Sequence, residues 1–397
     1  MFPRFRRYSN KRSLFLFGPR GTGKSTLLRH WFHQEACLWL DLLDSSVEDR
    51  FFRNPQELYS IVKALPDAIK TIIIDEIQKV PKLLDEVHRL IEEMDKIFIL
   101  TGSSARNLKR GGANLLAGRA FVYHLHAFSS FELKDQFNLE EALRWGTLPR
   151  IFNLEGEEEK SAFLRSYADT YLKEEIWSEQ VVRKLQPFRR FLEVAAECNG
   201  KIINYANISR DVGVDDKTIK EYFSILEDTM IGFYLEPFHH SFRKRLVGKP
   251  KFYFFDPGVV RSLSRRLSIP LTPKTAAYGE AFEHFVILEF IRLASYFKPD
   301  YRFSYFRTMS DVEVDLVVER PGKPLLCIEI ISTEIIDKPC IKSFINITKD
   351  IPNCEAIVLS QDRFMKKFDH VTCYPWKKGI EASFSEISLE SPEEPSR

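Results

Sequence analysis

The sequence predicts an α/β protein that begins with a parallel sheet and ends with a second α/β region. An apolar run at residues 13–17 leads directly into a glycine-rich loop and then into a helical segment at 26–32. Two further apolar runs, at 71–74 and 96–100, each end in polar residues. Buried parallel strands have this continuous apolar character, and their ligands collect where the strands end. Alternating strand patterns return after residue 300.

The loop between the first strand and the first helix predicts a phosphate site. Its letters GPRGTGKS fit the pattern G-x-x-x-x-G-K-[ST], in which backbone N–H groups and a helix N-terminus bind phosphates. Lys24 is expected to reach the β- and γ-phosphates, and the Ser25 hydroxyl to hold Mg²⁺. The predicted cofactors are ATP and Mg²⁺, and the predicted binding residues are Gly18, Pro19, Arg20, Gly21, Thr22, Gly23, Lys24, Ser25 and Thr26.

Two adjacent carboxylates at the end of the second apolar run predict hydrolysis. Asp75 is expected to complete the Mg²⁺ shell, and Glu76 to polarise the attacking water. A kinase needs only the first of these groups, so the pair favours hydrolysis over transfer to a small molecule.

Two more residues are candidates for contacts with the γ-phosphate. Ser103 follows the third strand, where a hydroxyl can sense the phosphate or orient the water. Arg119 precedes a strand at 120–126 and is a candidate arginine finger, in its own subunit or toward a neighbouring one. An ordinary turn serine and a surface arginine are the alternatives.

These motifs resemble those of AAA-type P-loop ATPases of the archaeal-ATPase and STAND-like group, which carry a C-terminal region similar to restriction endonucleases. The resemblance covers nearly the whole chain and rests on residues 18–28, 72–81, 100–104, 118–119, 171–172, 226–229 and 255–258. It implies an extra strand between the loop strand and the Asp75 strand. It implies no particular biological role.

Length and composition predict a soluble cytoplasmic protein of several domains. The chain has 397 residues, of which 44% are hydrophobic and 29% charged. It contains no run of eighteen apolar residues and no signal-peptide pattern, so no membrane partner is expected. The expected divisions are an ATPase domain (1–154), a helical linker (155–198), a winged-helix domain (199–270), a restriction-endonuclease-like domain (271–378) and a disordered acidic tail (379–397).

The middle of the chain predicts a helix-turn-helix followed by a wing. Residues 205–211 and 217–226 form the two helices, and residues 238–255 form the wing. The exposed residues of the second helix are three acids and two lysines, an unfavourable set for DNA readout: Asp215, Asp216, Lys217, Lys220 and Glu221. Backbone phosphate contact is expected instead from the N-terminal basic segment and from Arg243, Lys244, Arg245, Lys249 and Lys251. A winged helix used only for domain packing is the alternative.

The C-terminal third predicts a degenerate nuclease site. Glu283 on a helix, Asp315 on a strand and Glu329 on the next strand follow the order of metal ligands in restriction-endonuclease-like folds. Ile331 stands where that pattern has a lysine, and an apolar side chain cannot stabilise an anion. Lys323 or Lys338 would have to replace it, so cleavage is not expected.

The predicted function is therefore a Mg²⁺-dependent ATPase that acts as a switch or weak motor on DNA or on a protein partner. Two alternatives stay open. One is a nucleotide-gated signalling module that hydrolyses ATP slowly, and the other is an ATP-regulated nuclease in defence or mobile-element biology. A homo-oligomer also stays open.

Overall fold

The computed structural model describes residues 2–6, 11–33, 36–104, 116, 118–171, 185–239, 248–308, 312–387 and 389. The chain folds into two compact units. The N-terminal unit comprises Arg6–Ala127 and Ser224–Ile231, and the C-terminal unit comprises Met1–Phe5, Phe128–Phe223 and Gly232–Arg397.

The N-terminal unit is built on a five-stranded sheet in which every neighbouring pair of strands is parallel. Its strands are β1 (Ser13–Phe17), β2 (Cys37–Asp41), β3 (Thr71–Asp75), β4 (Ile97–Gly102) and β5 (Ala120–His124). Its helices are α1 (Lys24–Trp31), α2 (Ser45–Arg53), α3 (Glu57–Lys63) and α4 (Leu83–Glu93). The strand order β2-β3-β4-β1-β5 places β4 between β1 and β3, which confirms the extra strand.

The central strands β1, β3 and β4 of this sheet are buried on both faces, which explains their continuous apolar runs. Leu14 and Leu16 of β1 pack in one hydrophobic cluster with Leu28 of α1. Phe15 and Phe17 of the same strand point to the opposite face and pack in a second cluster. Because successive side chains of a strand alternate between faces, both parities must be apolar here. Packing on both faces therefore fixes the position of the strand ends relative to the loop that follows β1.

The C-terminal unit contains an eight-stranded mixed sheet with the order β12-β13-β11-β10-β9-β8-β6-β7. Its strands are β6 (Gly232–Pro237), β7 (Lys251–Phe254), β8 (Arg302–Arg307), β9 (Glu313–Glu319), β10 (Leu325–Ile331), β11 (Cys354–Ser360), β12 (Lys366–Phe368) and β13 (Val371–Pro375). The remaining helices are α5 (Ser130–Leu133), α6 (Leu139–Trp145), α7 (Gly156–Ser166), α8 (Leu185–Glu197), α9 (Tyr205–Val212), α10 (Asp216–Asp228), α11 (Pro257–Leu263), α12 (Ala276–Phe297), α13 (Lys342–Lys349) and α14 (Trp376–Ser383). Within the described part of the chain, no helix is both long and apolar enough to span a membrane.

Helices α9 and α10 agree with the two predicted helices. Gly213 ends α9 in the left-handed region, with φ of 81°, and Asp215 caps α10 by accepting a 2.7 Å hydrogen bond from the Thr218 amide. Strands β6 and β7 form an antiparallel pair, and β6 also pairs with β8. The strands on either side of residue 270 therefore share one sheet.

One expected nucleic-acid contact is wrong. Lys251, the first residue of β7, is only 4% exposed, because its side chain points into a cluster of carboxylates described below. Lys249 is exposed. The wing arginines and lysine at positions 243–245 lie outside the described residues.

A buried polar network holds residues 128–147 within the C-terminal unit. Arg292 of α12 is 1% exposed and donates hydrogen bonds to the carbonyl oxygens of Phe128 and Phe255. Asp256 accepts a 2.7 Å hydrogen bond from the Thr147 amide. Burial raises the pKa of Asp256 to about 6, against the effect of the Thr147 hydrogen bond and the Arg292 charge. Residues 128–154, assigned from the sequence to the ATPase domain, thus have polar contacts with the later part of the chain.

Candidate nucleotide site and a carboxylate cluster

The loop after β1 has a backbone that its glycines make possible. A Cβ atom on Gly18 would lie 2.2 Å from the carbonyl oxygen of Leu125, so no larger residue fits there. Gly23 precedes α1 in the left-handed region, with φ of 91°. The Gly18 amide donates a 3.3 Å hydrogen bond to the carbonyl of Gly102, which ties the start of the loop to the end of β4.

Lys24 is buried inside this loop. Its Nζ donates to the carbonyl oxygens of Gly18 at 2.8 Å and Pro19 at 3.3 Å, and the residue is 5% exposed. Backbone carbonyls carry no net charge, so these two contacts leave the positive charge of the ammonium uncompensated. This arrangement suits the binding of an anion by the loop.

Asp75, at the end of β3, lies next to the first turn of α1. It is 1% exposed, and its carboxylate accepts hydrogen bonds from the hydroxyls of Thr101 and Ser25. Burial raises the pKa of Asp75, while these two hydrogen bonds oppose the rise. A hydroxyl and a carboxylate in contact are the oxygen ligands that Mg²⁺ prefers, so the predicted metal residues fit the ion.

Glu76 turns sharply out of β3. Its φ and ψ are 61° and 48°, a left-handed conformation that is uncommon for a residue with a side chain. The conformation is stabilised by the Glu76 amide, which donates a 3.0 Å hydrogen bond to the Thr101 hydroxyl. The Ser103 hydroxyl lies 3.4 Å from the Glu76 carboxylate.

The structure thus connects Lys24, Ser25, Asp75, Glu76 and Ser103 through the first turn of α1 and the ends of β3 and β4. The guanidinium of Arg119 instead pairs with Glu92 of α4, and its side chain is 39% exposed. Of the other predicted loop residues, Thr26 is exposed and the Thr22 hydroxyl donates a 2.9 Å hydrogen bond to the Pro19 carbonyl.

Sequence reasoning missed two residues of this site, Thr101 and Gln78. Thr101 touches both the Asp75 carboxylate and the Glu76 amide. Gln78 donates hydrogen bonds from one amide nitrogen to Glu76 and to Ser103. Their positions in the sequence could have identified them, because Thr101 lies at the end of β4 and Gln78 lies two residues after Glu76.

The second candidate site is a carboxylate cluster in the C-terminal unit. It contains the three predicted residues, Glu283 of α12, Asp315 of β9 and Glu329 of β10, together with Glu313 of β9. Asp315 accepts a 2.7 Å hydrogen bond from the Ile330 amide. The Oε2 atom of Glu329 is buried and has no hydrogen-bond partner among the residues that the structure describes.

Lys251 is the buried cation of this cluster, and the exposed Arg307 lies 3.7 Å from Glu313. The Lys251 Nζ pairs with Glu313 and lies 3.6 Å from Glu283, which also accepts a 2.7 Å hydrogen bond from the Tyr253 hydroxyl. Burial by itself lowers the pKa of Lys251, but Glu283, Glu313 and Asp315 together raise it above the ordinary value. No sequence pattern predicted that Lys251 would lie in this cluster, because β7 is far from β9 and β10 along the chain.

The cations Lys251 and Arg307 face the four carboxylates of this cluster. Burial, then the neighbouring Glu283 and Glu313 charges, raise the pKa of Glu329 to about 8. Burial and the Glu329 and Glu283 charges also hold the pKa of Asp315 well above its usual range. The lysines proposed from the sequence lie elsewhere, with Lys323 paired to Glu386 and Lys338 to Asp369. Among the residues that the structure describes, no three His, Cys, Asp or Glu side chains are placed to hold a metal ion together.

Family models match three successive segments of the chain. Residues 10–134 match the family model of an AAA domain. Residues 136–269 and 278–378 match two different domains of unknown function.

Two relatives carry the name of uncharacterized proteins. One from Mycobacterium tuberculosis is 28% identical over 323 residues, which covers 78% of this chain and 68% of the relative. One from Methanocaldococcus jannaschii is 22% identical over 385 residues, covering 88% and 83%. Among solved structures, Aeropyrum pernix Orc1 in complex with DNA covers 65% of this chain and 86% of its own, with 14% identity and a TM-score of 0.28. The Thermococcus gammatolerans McrB AAA+ hexamer with McrC covers 80% and 99%, with 10% identity and a TM-score of 0.26.

Proposed function

We propose that this protein is a Mg²⁺-dependent ATPase whose nucleotide state acts as a switch on DNA or on a protein partner. The observation that carries the proposal is the contact between the Ser25 hydroxyl and the buried Asp75 carboxylate, directly beside Lys24 and Glu76. Lys24 and the loop amides would bind the phosphates, Ser25 and Asp75 the metal ion, and Glu76 would accept the proton of the attacking water. Ser103, whose hydroxyl lies 3.4 Å from the Glu76 carboxylate, would orient that water or the γ-phosphate.

The assigned roles of Lys24 and Glu76 predict opposite effects on binding and turnover. Glu76→Gln keeps the shape of the site but removes the base, so ATP should still bind while hydrolysis falls at least about 100-fold. Lys24→Ala should lose ATP binding itself. Lys11→Ala, an exposed lysine outside the loop, is the matched control for the lysine change. Loss of ATP binding in Glu76→Gln, or unchanged turnover, would contradict the assignment.

The choice between DNA and a protein partner is open to one titration. Steady-state hydrolysis is measured with single- and double-stranded DNA at two salt concentrations, because contacts to phosphates weaken as salt rises. Stimulation that fades with salt supports DNA, and Lys217→Ala with Lys220→Ala then tests the exposed N-terminal turn of α10. Flat turnover with every DNA supports a protein trigger.

Very slow turnover with ATP-dependent oligomerisation supports the signalling-module alternative. Mixing Arg119→Ala protein with Glu76→Gln protein tests whether the arginine of one subunit acts at the site of another.

We infer that the C-terminal unit does not cut DNA. Lys251 pairs with Glu313 and lies near Glu283, so a positive group of the protein itself faces carboxylates that a metal ion would need. The test is incubation of supercoiled DNA with Mg²⁺ or Mn²⁺ and wild-type protein beside Asp315→Ala. Cleavage that disappears in Asp315→Ala would overturn the inference and support the ATP-regulated nuclease.

A further inference from the structure

The side chain of Gln78 joins the two polar groups that follow β3 and β4. Gln78 lies in the 3₁₀ turn Ile77–Lys79, and its Nε2 donates to the Glu76 carboxylate and, at 3.0 Å, to the Ser103 hydroxyl. The assignment of nitrogen and oxygen in this amide is fixed chemically, since an ionised carboxylate can only accept hydrogen bonds. One amide group therefore orients both residues.

The backbone of Glu76 does not fix the direction of its carboxylate, and the Gln78 amide does. The left-handed conformation of Glu76, held by the Thr101 hydroxyl, fixes where the side chain begins but not where it ends. Two hydrogen bonds to the carboxylate, from Gln78 and from Ser103, then fix its end. Hydrogen bonds to a charged group are among the stronger ones in proteins.

The space for the amide is provided by Gly102. A Cβ atom at this position would lie 2.8 Å from Gln78 Oε1 and 3.2 Å from the ring of Phe17. The same Oε1 atom is buried and has no hydrogen-bond partner among the described atoms, which gives the amide one unused acceptor. Gly102 and Gln78 therefore work as a pair, the first making room for the second.

We propose that Gln78 is a positioning residue of the ATPase site, which holds the Glu76 carboxylate against Ser103 in the orientation needed for hydrolysis. This inference rests on the proposed function. Gln78 has no described contact with the phosphate loop, so its loss should leave nucleotide binding intact. The effect should appear in kcat and not in KM.

The experiment compares kcat, KM and the affinity for a fluorescent ATP analogue in wild type, Gln78→Met, Gly102→Ala and Glu76→Gln. Gln78→Met keeps the length of the side chain and removes its hydrogen bonds. We expect kcat to fall about 10- to 100-fold with KM and analogue affinity within about twofold, the range expected for a lost hydrogen bond to a charged group. Gly102→Ala should lower kcat in the same direction, because it displaces the amide without removing it.

The double variant Gln78→Met/Glu76→Gln separates positioning from general damage. If Gln78 acts through Glu76, the double variant should be no slower than Glu76→Gln alone. Additive losses, a matching loss of analogue affinity, or a Gln78→Met protein with wild-type kcat would each overturn the inference. The proposed function fails separately, through a wild type without turnover or a Glu76→Gln protein that turns over normally. Should Gln78→Met not fold, Gly102→Ala provides the same comparison.

Discussion

Replacing Lys251 by Met tests whether its ammonium is the structural counter-ion of the carboxylate cluster. The side chain is 5% exposed and contacts Glu313 and Glu283, whose side chains are each 24% exposed. Methionine preserves the length and apolar volume of the lysine stem but removes the charge. Removing one partner of a fully buried ion pair typically costs about 3–5 kcal/mol. Glu313 and Glu283 are partly exposed, and Arg307 lies 3.7 Å from Glu313, so part of the remaining negative charge stays compensated. We expect a loss of about 1–3 kcal/mol in the free energy of unfolding at pH 8.

The loss of stability caused by Lys251→Met should depend on pH, because carboxylates of the cluster take up protons as the pH falls. The pKa of Glu329 is raised to about 8, so this carboxyl takes up a proton as the pH falls from 8 toward 5.5, and the raised pKa of Asp315 also favours its protonated form. Less negative charge then faces Lys251, so the loss caused by Lys251→Met should shrink at pH 5.5.

The assay is urea unfolding at pH 5.5 and pH 8, followed by circular dichroism and tryptophan fluorescence. Lys249→Met is the matched control: it makes the same chemical change two residues away at an exposed position, where the cost should stay within about 0.5 kcal/mol. A Lys251→Met protein as stable as wild type at pH 8 would refute the reasoning. So would a loss that is equal at the two pH values, because packing alone would then explain it.

Two further changes test the sites independently. Glu329→Gln should gain stability over wild type as the pH rises. Between pH 4.5 and about 8 the unfolded Glu329 carboxyl has lost its proton while the native one, with a pKa of about 8, keeps it, so wild type loses stability across this window and the amide does not. The stability of Glu329→Gln relative to wild type is measured by urea unfolding at pH 5 and pH 8.5, and it should rise between them by at most about 5 kcal/mol. A relative stability that is the same at both pH values would contradict the assigned protonation of Glu329. Gly18→Ala should abolish binding of a fluorescent ATP analogue, because its Cβ would lie 2.2 Å from the Leu125 carbonyl, whereas Gly279→Ala, whose Cβ has nothing nearer than 3.6 Å, should bind normally.

The candidate nucleotide site could be predicted from the sequence because its parts are local or lie at predictable strand ends. The glycine-rich loop carries its own backbone geometry, and the apolar runs before Asp75 and Ser103 identify buried strands whose carboxyl ends meet at one edge of a sheet. The residues that orient this site were harder to find. A glutamine and a threonine have no pattern of their own, and their roles depend on the contacts of Gln78 with Ser103 and of Thr101 with Asp75.

The sequence by itself determined the glycine-rich loop, the carboxylates at the end of β3 and the apolar strands before them, because these features depend on short-range spacing and on the burial of consecutive residues. Only the tertiary structure decided the environment of Lys251. Its position at the start of β7 predicted an exposed basic wing, yet the packing of the C-terminal unit places its ammonium beside Glu313 and Glu283. The partners of a buried charge come from elements distant in the chain, and no local pattern of residues records which of them will meet.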